Sequence, residues 1–336
     1  MSPPNPPAPA RTAARAADIK ASERVSRREK SRDPNWLFTP EGHFRGYIDA
    51  AKLSELWFHT GTNCNLSCPF CFEGSKPRDN RIEFLTLDDV RPFVTEALDL
   101  DVERFSFTGG EPFVNPHFLR ILEFALEYRP CFVLTNGTEP VRNRMREVSR
   151  LKDKPHPLAF RISLDHPDPE KHDAGRGQGN FRKALGTLGM LHAEGFGVSI
   201  ARLMGQGENV AEVDERYGPL LEEAGLPSDT PIVKFPDFLP PGAIADVPHI
   251  TESCMTSYLT AERRAAFMCG YSRMIVKRNG RCGVYACTLV DDDADFDLGN
   301  TLRESLAVRV RLKHHRCYSC FACGASCSEV VSKERL

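Results

Sequence analysis

The sequence predicts an α/β fold in which a parallel sheet carries helices on its outer side. Short β-type runs alternate six times with amphipathic stretches, beginning near Leu53. Such alternation is typical of parallel β/α units. Six units are too few for a complete eight-fold barrel, so an open partial barrel and a doubly wound sheet both fit the pattern. After about residue 245 the alternation stops and cysteines become frequent, which predicts a small cysteine-rich second domain.

The individual elements follow from local periodicity. The predicted strands cover residues 56–59, 104–107, 132–134, 160–164, 198–203 and 232–235. The predicted helices cover residues 86–100, 116–128, 181–194 and 209–224. Thr86 and Asp89 resemble a capping box at the start of the first helix. Gly218-Pro219 is expected to break the last one.

Composition and charge narrow the function classes. The chain has 336 residues, of which 41% are hydrophobic and 27% charged, with a net charge of −2. This balance lacks the clustered basic excess of nucleic-acid-binding proteins. Because no run of 18 apolar residues and no apolar N-terminal h-region occurs, we expect no membrane span and no secretory signal, and a cytoplasmic location.

Three segments are expected along the chain. Residues 1–45 are rich in Pro, Ala and charged residues with few large apolar ones, which predicts a disordered N-terminal segment. Residues 46–245 carry the β/α alternation and form the predicted core. Residues 246–336 contain most of the remaining cysteines and little apolar periodicity, so metal is expected to hold this part together.

Twelve cysteines are many for a chain without an export signal, and most of them are clustered. In a reducing compartment, clustered cysteines indicate metal more often than disulfides. The first group is Cys64, Cys68 and Cys71, in CNLSCPFC. The later ones are Cys254, Cys269, Cys282, Cys287, Cys317, Cys320, Cys323 and Cys327. Cys131 stands alone in an apolar run and is predicted to be a core residue.

Thiol, polar or glycine-rich groups follow four of the six predicted strands. In chain order these are the cysteines of 64–71, TGGEP at 108–112, TNGT at 135–138 and SLDH at 163–166. Ligands bind at the carboxyl ends of parallel strands, so these groups are expected to share one site. AGRGQGNF, at 174–181, lacks the features of a phosphate loop and is predicted to be a flexible loop that enters a helix at Phe181.

The first cysteine group fits an iron–sulfur cubane better than zinc. Structural zinc takes four ligands, commonly from two CxxC pairs, whereas Cys64, Cys68 and Cys71 have no fourth cysteine nearby. Three thiolates would hold three irons of a [4Fe–4S] cluster and leave the fourth iron without a protein ligand. That iron is then able to bind a substrate or a cofactor.

CxxxCxΦC, with Phe70 as the aromatic residue Φ, resembles the signature of the radical S-adenosylmethionine (radical SAM) enzymes. GGE at Gly109–Glu111 resembles the second motif of that superfamily, and the six β/α units resemble its partial TIM-like barrel, over about residues 50–240. The resemblance implies that the open iron binds S-adenosylmethionine. It also implies that one electron from the cluster cleaves a carbon–sulfur bond, giving a 5′-deoxyadenosyl radical that abstracts hydrogen from substrate.

The resemblance implies contacts between S-adenosylmethionine and the residues near the first two strands. Phe70 would form a wall of the adenine pocket. Gly109 and Gly110 would let the backbone approach the methionine moiety, and Glu111 would accept a hydrogen bond from its ammonium group. Ordinary core packing and a turn before a helix are the alternative explanations.

Later strand ends would complete the same pocket. By the resemblance, Ser163 and Asp165 would contact the ribose, Asn136 would line the pocket, and Arg202 would meet the methionine carboxylate. Strand-end capping and turn formation explain the first three as well. Two histidines are acid–base candidates or ordinary loop residues: His166 and His172.

The cysteines after residue 245 resemble the SPASM or twitch extension, which carries one or two auxiliary [4Fe–4S] clusters. NGRCGVYAC, at 279–287, resembles a hairpin, and DLGN, at 297–300, precedes the last cysteine group. The preferred set for one cluster is Cys269, Cys287, Cys317 and Cys320. A second cluster would also use Cys323 and Cys327, with Cys254 and Cys282 recruited. A zinc ribbon fits the spacing as the alternative.

The resulting hypothesis is a radical SAM oxidoreductase that oxidises or crosslinks a peptide or protein side chain, as SPASM-type relatives often do. Oxidation or rearrangement of a small metabolite such as a sugar is the alternative within the superfamily. A zinc-stabilised binding protein without catalysis and an iron–sulfur electron carrier are the alternatives from other classes. A reductant such as ferredoxin or flavodoxin is the expected partner, and the acidic run at 291–297 is either a contact for a basic peptide or a solvated loop.

Overall fold

A single large sheet organises the protein. In this computed structural model the described residues are 33–50, 52–205, 207–243 and 245–324. The strands are β1 Tyr47–Ile48, β2 Glu55–His59, β3 Arg104–Thr108, β4 Cys131–Thr135, β5 Leu158–Ser163, β6 Gly197–Leu203, β7 Ile232–Phe235, β8 Ser272–Arg278, β9 Arg281–Tyr285 and β10 Val310–Arg311. Eight of them form one sheet in the order β7-β6-β5-β4-β3-β2-β8-β9, and β1 pairs with β10 separately.

Helices connect the strands and cover the sheet. They are α1 Pro34–Leu37, α2 Leu87–Asp99, α3 Phe118–Ala125, α4 Glu139–Arg142, α5 Met145–Ser149, α6 Pro169–Arg176, α7 Asn180–Ala193, α8 Val210–Glu215, α9 Tyr217–Glu223, α10 Glu252–Ser257, α11 Ala261–Ala265, α12 Met268–Tyr271, α13 Leu302–Leu306 and α14 Cys317–Cys323. Within the described residues, none of these helices has the length and apolar character needed to span a membrane.

The six predicted strands are confirmed as β2 to β7. They are parallel, and each pairs with the next one along the chain. A doubly wound sheet would reverse its strand order at a switch point. The order does not reverse among these six strands, so the partial TIM-like barrel is the correct class and the doubly wound alternative is wrong.

The helix after β2 forms as its sequence predicts. The Thr86 hydroxyl accepts a hydrogen bond from the Asp89 amide, and the Asp89 carboxylate accepts one from the Thr86 amide, which completes the capping box. Val90 and Val94 lie on the buried face of α2 against the sheet. Cys131, the isolated cysteine, is 2% exposed at the start of β4 and is confirmed as a core residue.

Two local predictions are wrong. Residues 174–176 belong to α6, not to a loop, because Asp168 caps that helix by accepting from the Glu170 amide and Pro169 occupies its first position. The helix predicted over 209–224 is interrupted as expected, but the break lies at Arg216, two residues before Gly218-Pro219. Gly218 and Pro219 lie in the first turn of α9. A proline is tolerated there, because the N–H group that it lacks would have no acceptor within the helix.

The hairpin predicted around NGRCGVYAC is confirmed as β8 and β9. Asn279 and Gly280 have φ of +51° and +71°, the left-handed pair that a two-residue hairpin requires. The sequence did not reveal where this hairpin docks. β8 pairs in parallel with β2, with Arg273 beside Leu56, so residues 272–285 extend the sheet of the core.

The main apolar core lies between the sheet and its helices. A second apolar cluster is formed largely by chain segments that precede and follow the β/α units. Trp36, in α1, is 4% exposed and meets the ring of Phe296 edge-on at 5.2 Å between centroids. Met274 and Trp57, neighbours across β8 and β2, are fully buried in the same cluster. Residues 33–45, assigned from sequence to the N-terminal segment, therefore pack against the fold, while residues 1–32 lie outside the described residues.

Candidate functional site

A cavity of about 190 Å³ lies at the carboxyl ends of the parallel strands. Its wall includes the three thiols of the first cysteine group, Cys64, Cys68 and Cys71, which we call the three-thiol loop. Seven other predicted site residues line the same cavity: Phe70, Gly109, Gly110, Asn136, Ser163, Asp165 and Arg202. The groups that follow the strands therefore meet at one cavity, as the strand-end rule predicts.

The three-thiol loop is held by backbone turns and by donors to sulfur. The Cys71 amide donates to the Cys68 carbonyl at 3.1 Å, which closes the turn between them. The Leu66 amide and the Asn136 side-chain amide approach the Cys64 sulfur at 3.3 and 3.8 Å. Burial raises the pKa of Cys64 to about 12, so this thiol stays protonated at neutral pH unless a metal displaces its proton.

The two glycines after β3 allow close packing of two strand-end loops. A Cβ on Gly109, where φ is +141°, would lie 2.7 Å from the Gly61 carbonyl oxygen. A Cβ on Gly110 would lie 2.6 Å from the Thr62 carbonyl oxygen. Only glycine lets the backbone after β3 reach both the three-thiol loop and the cavity.

Glu111 has a position different from that of the two glycines. It is 1% exposed, and its carboxylate accepts from the Thr135 hydroxyl at 2.8 Å, the Asn136 amide at 2.8 Å and the Phe113 amide at 3.1 Å. Burial raises its pKa to about 7 despite these donors. Glu111 thus ties the ends of β3 and β4 together beneath the cavity, and its contact with an ammonium group stays a prediction.

Arg176 lies between two predicted cofactor contacts. Its guanidinium donates to the Asp165 carboxylate at 2.5 and 3.2 Å and lies 5.4 Å from the centroid of the Phe70 ring. Burial lowers the pKa of Arg176, but Asp165 outweighs burial and the pKa lies above its ordinary value. A Cβ on Gly175 would lie 2.3 Å from a ring carbon of Phe70. The lack of a side chain at Gly175 therefore lets the Phe70 ring pack directly against α6.

Arg202 and His172 support the site from below. Arg202 has a fully buried side chain paired with Glu208 at 2.5 Å and Asp214 at 2.8 Å, so its charge already has two partners. His172 is 1% exposed, and its Nδ1 accepts from the Asp165 amide at 3.2 Å. Burial lowers the pKa of His172 to about 4. This histidine is neutral at pH 7 and orients Asp165.

The sequence analysis did not identify one buried carboxylate in the cavity wall, that of Glu73. Glu73 is 5% exposed, its Oε2 accepts from the Ser75 hydroxyl at 3.2 Å, and the same oxygen lies 3.3 Å from Nε2 of His59. The Gly61 amide donates to Nδ1 of His59, which places the imidazole proton on Nε2. The sequence signal for Glu73 was its position two residues after Cys71. For Arg176, the signal was a cation inside AGRGQGNF.

The later cysteines separate into different places. Burial raises the pKa of the Cys287 thiol, and the thiols of Cys269, Cys317 and Cys320 raise it further. Cys287 is therefore near enough to the other three cysteines of the preferred predicted set for their charges to act on it. We call these four residues the four-thiol group, and their joint ligation of a cluster stays a prediction. Three others do not belong to that arrangement or are not fully described: Cys254, Cys282 and Cys323. The predicted ligand Cys327 lies outside the described residues.

Cys254 and Cys282 have separate surroundings. The Cys254 sulfur lies 3.1 Å from the Thr251 hydroxyl, within the first turn of α10. Cys282 is on β9, where burial and the neighbouring Asp89 raise the pKa of its thiol to about 12. Cys323 is described only by its backbone in α14. The roles of these three in ligation stay predictions.

The donor chemistry of both thiol sites fits iron–sulfur clusters. Thiolates are the ligands that such clusters take, and the three-thiol loop presents them on a cavity wall. Within the described parts of the chain, no three His, Cys, Asp or Glu side chains are arranged around a single metal ion. Ligands of a cubane stand further apart than ligands of one ion, because several irons lie between them.

Comparison with known proteins shows which family the part of the chain around the cavity resembles. Residues 58–217 match the model of the radical SAM superfamily. This segment runs from β2 to the start of α9 and contains the three-thiol loop, the glycine motif and four of the strand ends around the cavity. This segment, just under half of the chain, is therefore similar to radical SAM domains.

Individual relatives cover parts of the chain. Mycofactocin maturase MftC of Mycobacterium tuberculosis is 33% identical over 166 residues, which are 47% of this chain and 41% of that protein. GTP 3′,8-cyclase of Photorhabdus laumondii is 31% identical over 134 residues, 40% of each chain. The structure of Streptococcus suis SuiB bound to precursor peptide SuiA has a TM-score of 0.54 and 13% identity, over 91% of this chain and 72% of that one. The curated relatives thus match over less than half their length, and SuiB shows a shared fold.

Proposed function

We propose that the chain is a radical SAM enzyme that modifies a side chain of a peptide or protein. One observation carries the proposal: three thiols, two glycines and the polar ends of β4 and β5 line a single cavity. Three thiolates around an open cavity leave a coordination position for an exchangeable ligand. The proposal places this chemistry in the cytoplasm, where thiols stay reduced.

The chain's own residues would prepare that cavity. Cys64, Cys68 and Cys71 would hold a [4Fe–4S] cluster, and the N–H donors near Cys64 would stabilise negative charge on its sulfur. S-adenosylmethionine bound to such a cluster supplies a carbon-centred radical that removes hydrogen from a substrate. The apolar wall, which includes Phe72 and Phe238, would exclude water from the reaction.

Cofactor recognition would fall to the strand ends. Gly109 and Gly110 give the backbone access to the cavity, and Phe70 presents a ring for stacking. Ser163 would contact the ribose directly. Asp165 would do so either beside Arg176 or after exchanging that partner, because both of its oxygens are hydrogen-bonded to Arg176.

The peptide assignment rests on the relatives together with the second thiol site. A maturase is among the matched proteins, and the fold is shared with a protein whose structure contains a precursor peptide. The four-thiol group would hold an auxiliary cluster that accepts an electron from the substrate. The match to GTP 3′,8-cyclase favours a second candidate, in which the substrate is a small metabolite.

Cofactor cleavage tests the radical assignment. Anaerobically reconstituted protein, reduced by dithionite or by ferredoxin or flavodoxin, is expected to form 5′-deoxyadenosine. The Cys64→Ala/Cys68→Ala/Cys71→Ala variant should form none, and Cys131→Ala, a cysteine of the core, should retain the activity. Wild-type protein that binds iron but never forms 5′-deoxyadenosine would sink the proposal, and zinc in place of iron would favour a binding protein.

Peptide and metabolite substrates are then distinguished by what stimulates the reaction. Short peptides encoded beside the gene are added to the reduced enzyme, and their masses are measured before and after reaction. A loss of two hydrogens, or a new crosslink, supports peptide modification. Stimulation by a nucleotide or a sugar, with no mass change in any peptide, would replace the first candidate by the second.

A further inference from the structure

Two buried arginines lack a counter-ion in contact, and one of them, Arg273, contacts a member of the four-thiol group. Arg273, the second residue of β8, has no exposed surface, and Arg45 is 6% exposed. The guanidinium of Arg273 donates to the carbonyls of Cys269 at 2.6 Å, Ser272 at 2.7 Å and Ser305 at 3.4 Å. All of these acceptors are neutral, so the charge of Arg273 has been buried without an anion in contact.

Two other buried arginines of the described residues have carboxylate partners. Arg202 contacts two carboxylates, and Arg316 contacts Asp292 at 3.3 Å. In the described part of the chain, neither Arg273 nor Arg45 forms an ion pair within 4.0 Å. Burying a charge without a counter-charge costs several kcal/mol, so a fold rarely retains such a pair of side chains without a reason.

Each of the two arginines also has an N–H group without a hydrogen-bond partner. These are Nε of Arg273 and one terminal nitrogen of Arg45, Nη1. The Nε of Arg45 donates to the Asn35 carbonyl at 3.0 Å, again a neutral acceptor. An unpaired buried donor costs about 1 to 3 kcal/mol, so both side chains are incompletely satisfied in their charge and in their hydrogen bonds.

Geometry links Arg273 directly to the four-thiol group, because its guanidinium donates to the Cys269 carbonyl at 2.6 Å. Burial lowers the pKa of Arg273 to about 10, while Cys269 and Cys287 act in the opposite direction. Burial also lowers the pKa of Arg45, and Glu41 and Cys317 oppose that effect. Arg273 therefore lies against Cys269, and the charge of Cys317 acts on Arg45 in the same sense, together with Glu41.

We propose that Arg273 and Arg45 are the counter-ions of an anionic metal–thiolate centre in the four-thiol group, and that they raise its reduction potential. The inference rests on the auxiliary cluster of the proposed function. A cubane held by four thiolates carries negative charge, and reduction adds one electron to it. A buried cation stabilises the reduced form more than the oxidised form, because Coulomb interactions are strong where water is excluded. The arginines would therefore make the centre a better electron acceptor.

Redox titration of the reconstituted holoprotein, followed by electron paramagnetic resonance, tests the role of Arg273. Arg273→Met removes the charge and Arg273→Lys retains it. We expect the midpoint potential of the auxiliary cluster to fall in Arg273→Met by an amount equal to about a tenfold weaker preference for the reduced form, or about 59 mV for one electron. Arg273→Lys should recover most of the shift, and Arg45→Met should give a shift in the same direction.

Two controls separate charge from structure. The cluster of the three-thiol loop in the same sample should keep its potential. Arg129 also donates to neutral carbonyls, those of Val102 and Tyr128, just before β4, and Arg129→Met should shift neither potential. An unchanged auxiliary potential in Arg273→Met, or equal shifts of both clusters, would overturn the proposal.

Loss of the cluster gives a further readout. If Arg273→Met loses the auxiliary iron, retention of that iron in Arg273→Lys supports the counter-ion role, and loss in both variants assigns a structural role and overturns it. Wild-type protein with a single cluster would overturn the auxiliary site itself and this inference with it. A second cluster whose potential ignores both arginines overturns the inference alone.

Discussion

The three-thiol loop and the four-thiol group use the same side chain in two different surroundings. The loop lies at the carboxyl ends of the strands, on the wall of a cavity that strand-end residues line. The four-thiol group packs against the second apolar cluster, where Cys269 is 7% exposed and its carbonyl accepts from the buried Arg273. The three-thiol loop therefore faces a cavity, whereas the four-thiol group lies against packed apolar side chains.

The comparison shows how ligand number and access separate the functions of two thiol sites. Catalytic metal sites keep one position open, whereas structural and electron-transfer sites have a complete ligand shell. Three thiols beside a cavity match the first description, and four thiols outside the wall of that cavity match the second in ligand number. The two sites should therefore respond differently to the same kinds of substitution.

The largest expected effect is the loss of one cluster without the other. Cys64→Ala/Cys68→Ala/Cys71→Ala should lose about four irons per chain and leave the auxiliary iron in place, by the cubane stoichiometry. Cys287→Ala/Cys317→Ala should lose the auxiliary iron and retain the iron of the three-thiol loop. Iron and sulfide analysis of anaerobically purified proteins measures both. Simultaneous loss of all iron in either variant would contradict two independent sites.

A single methyl group should impair the cavity without harming the fold. The Cβ of Gly175→Ala would lie 2.3 Å from the Phe70 ring and must displace it, so we expect S-adenosylmethionine to bind about tenfold more weakly, or about 1.4 kcal/mol. Alanine also favours the helical conformation of α6 by up to about 1 kcal/mol. Calorimetric binding to holoprotein and urea unfolding measure the two effects separately.

Gly218→Ala is the matched control for that substitution. Gly218 also lies in a helix, and its added Cβ would meet only the Ser228 side chain, at 3.8 Å. Binding should stay at the wild-type value in this variant. Equal binding by Gly175→Ala and Gly218→Ala would show that the Phe70 ring does not contribute to cofactor affinity.

Protonation of the buried His172 should lower the stability of the folded protein in acid. His172 has a folded pKa of about 4, below the unfolded value of about 6.5. Because the unfolded chain binds the proton more readily, the free energy of unfolding should fall as pH drops from about 6.5 to 4, by about 2 kcal/mol. Above about pH 7.5 the histidine is neutral in both states, so the free energy of unfolding no longer depends on its titration.

Urea unfolding of wild-type protein and His172→Gln at several pH values measures this contribution. The difference in unfolding free energy between the two proteins should change between pH 6.5 and 4 and stay constant above about pH 7.5. His43→Gln, at an exposed histidine, should follow the wild-type profile throughout. Parallel profiles for wild type and His172→Gln would show that this imidazole is already protonated, or solvated, in the folded state.

The smallest expected effect distinguishes two cysteines five residues apart. Cys282→Ala should leave the iron content unchanged and alter the free energy of unfolding by less than about 1 kcal/mol, as for a small side chain at the periphery of the core. Cys287→Ala should lose the auxiliary iron, because Cys287 belongs to the four-thiol group. Iron loss in Cys282→Ala would place that residue among the ligands.

Local sequence patterns determined much of the fold and the position of the cavity. Alternating apolar runs located β2 to β7, and the capping box of Thr86 and Asp89 located the start of α2. The spacing of the three-thiol loop and the glycines after β3 identified the ligand edge. These features depend on neighbours within a few residues, or on the general rule that parallel strands place their carboxyl ends together.

Tertiary structure alone decided the contacts between distant segments. It set β8 beside β2, paired Asp165 with Arg176, placed Glu73 against His59, and separated Cys282 from the four-thiol group. Such contacts arise from the packing of whole elements, and their cost in chain entropy depends on the loops that close them. The sequence limits which residues are able to form these pairs, and the packing of the sheet determines which pairs form.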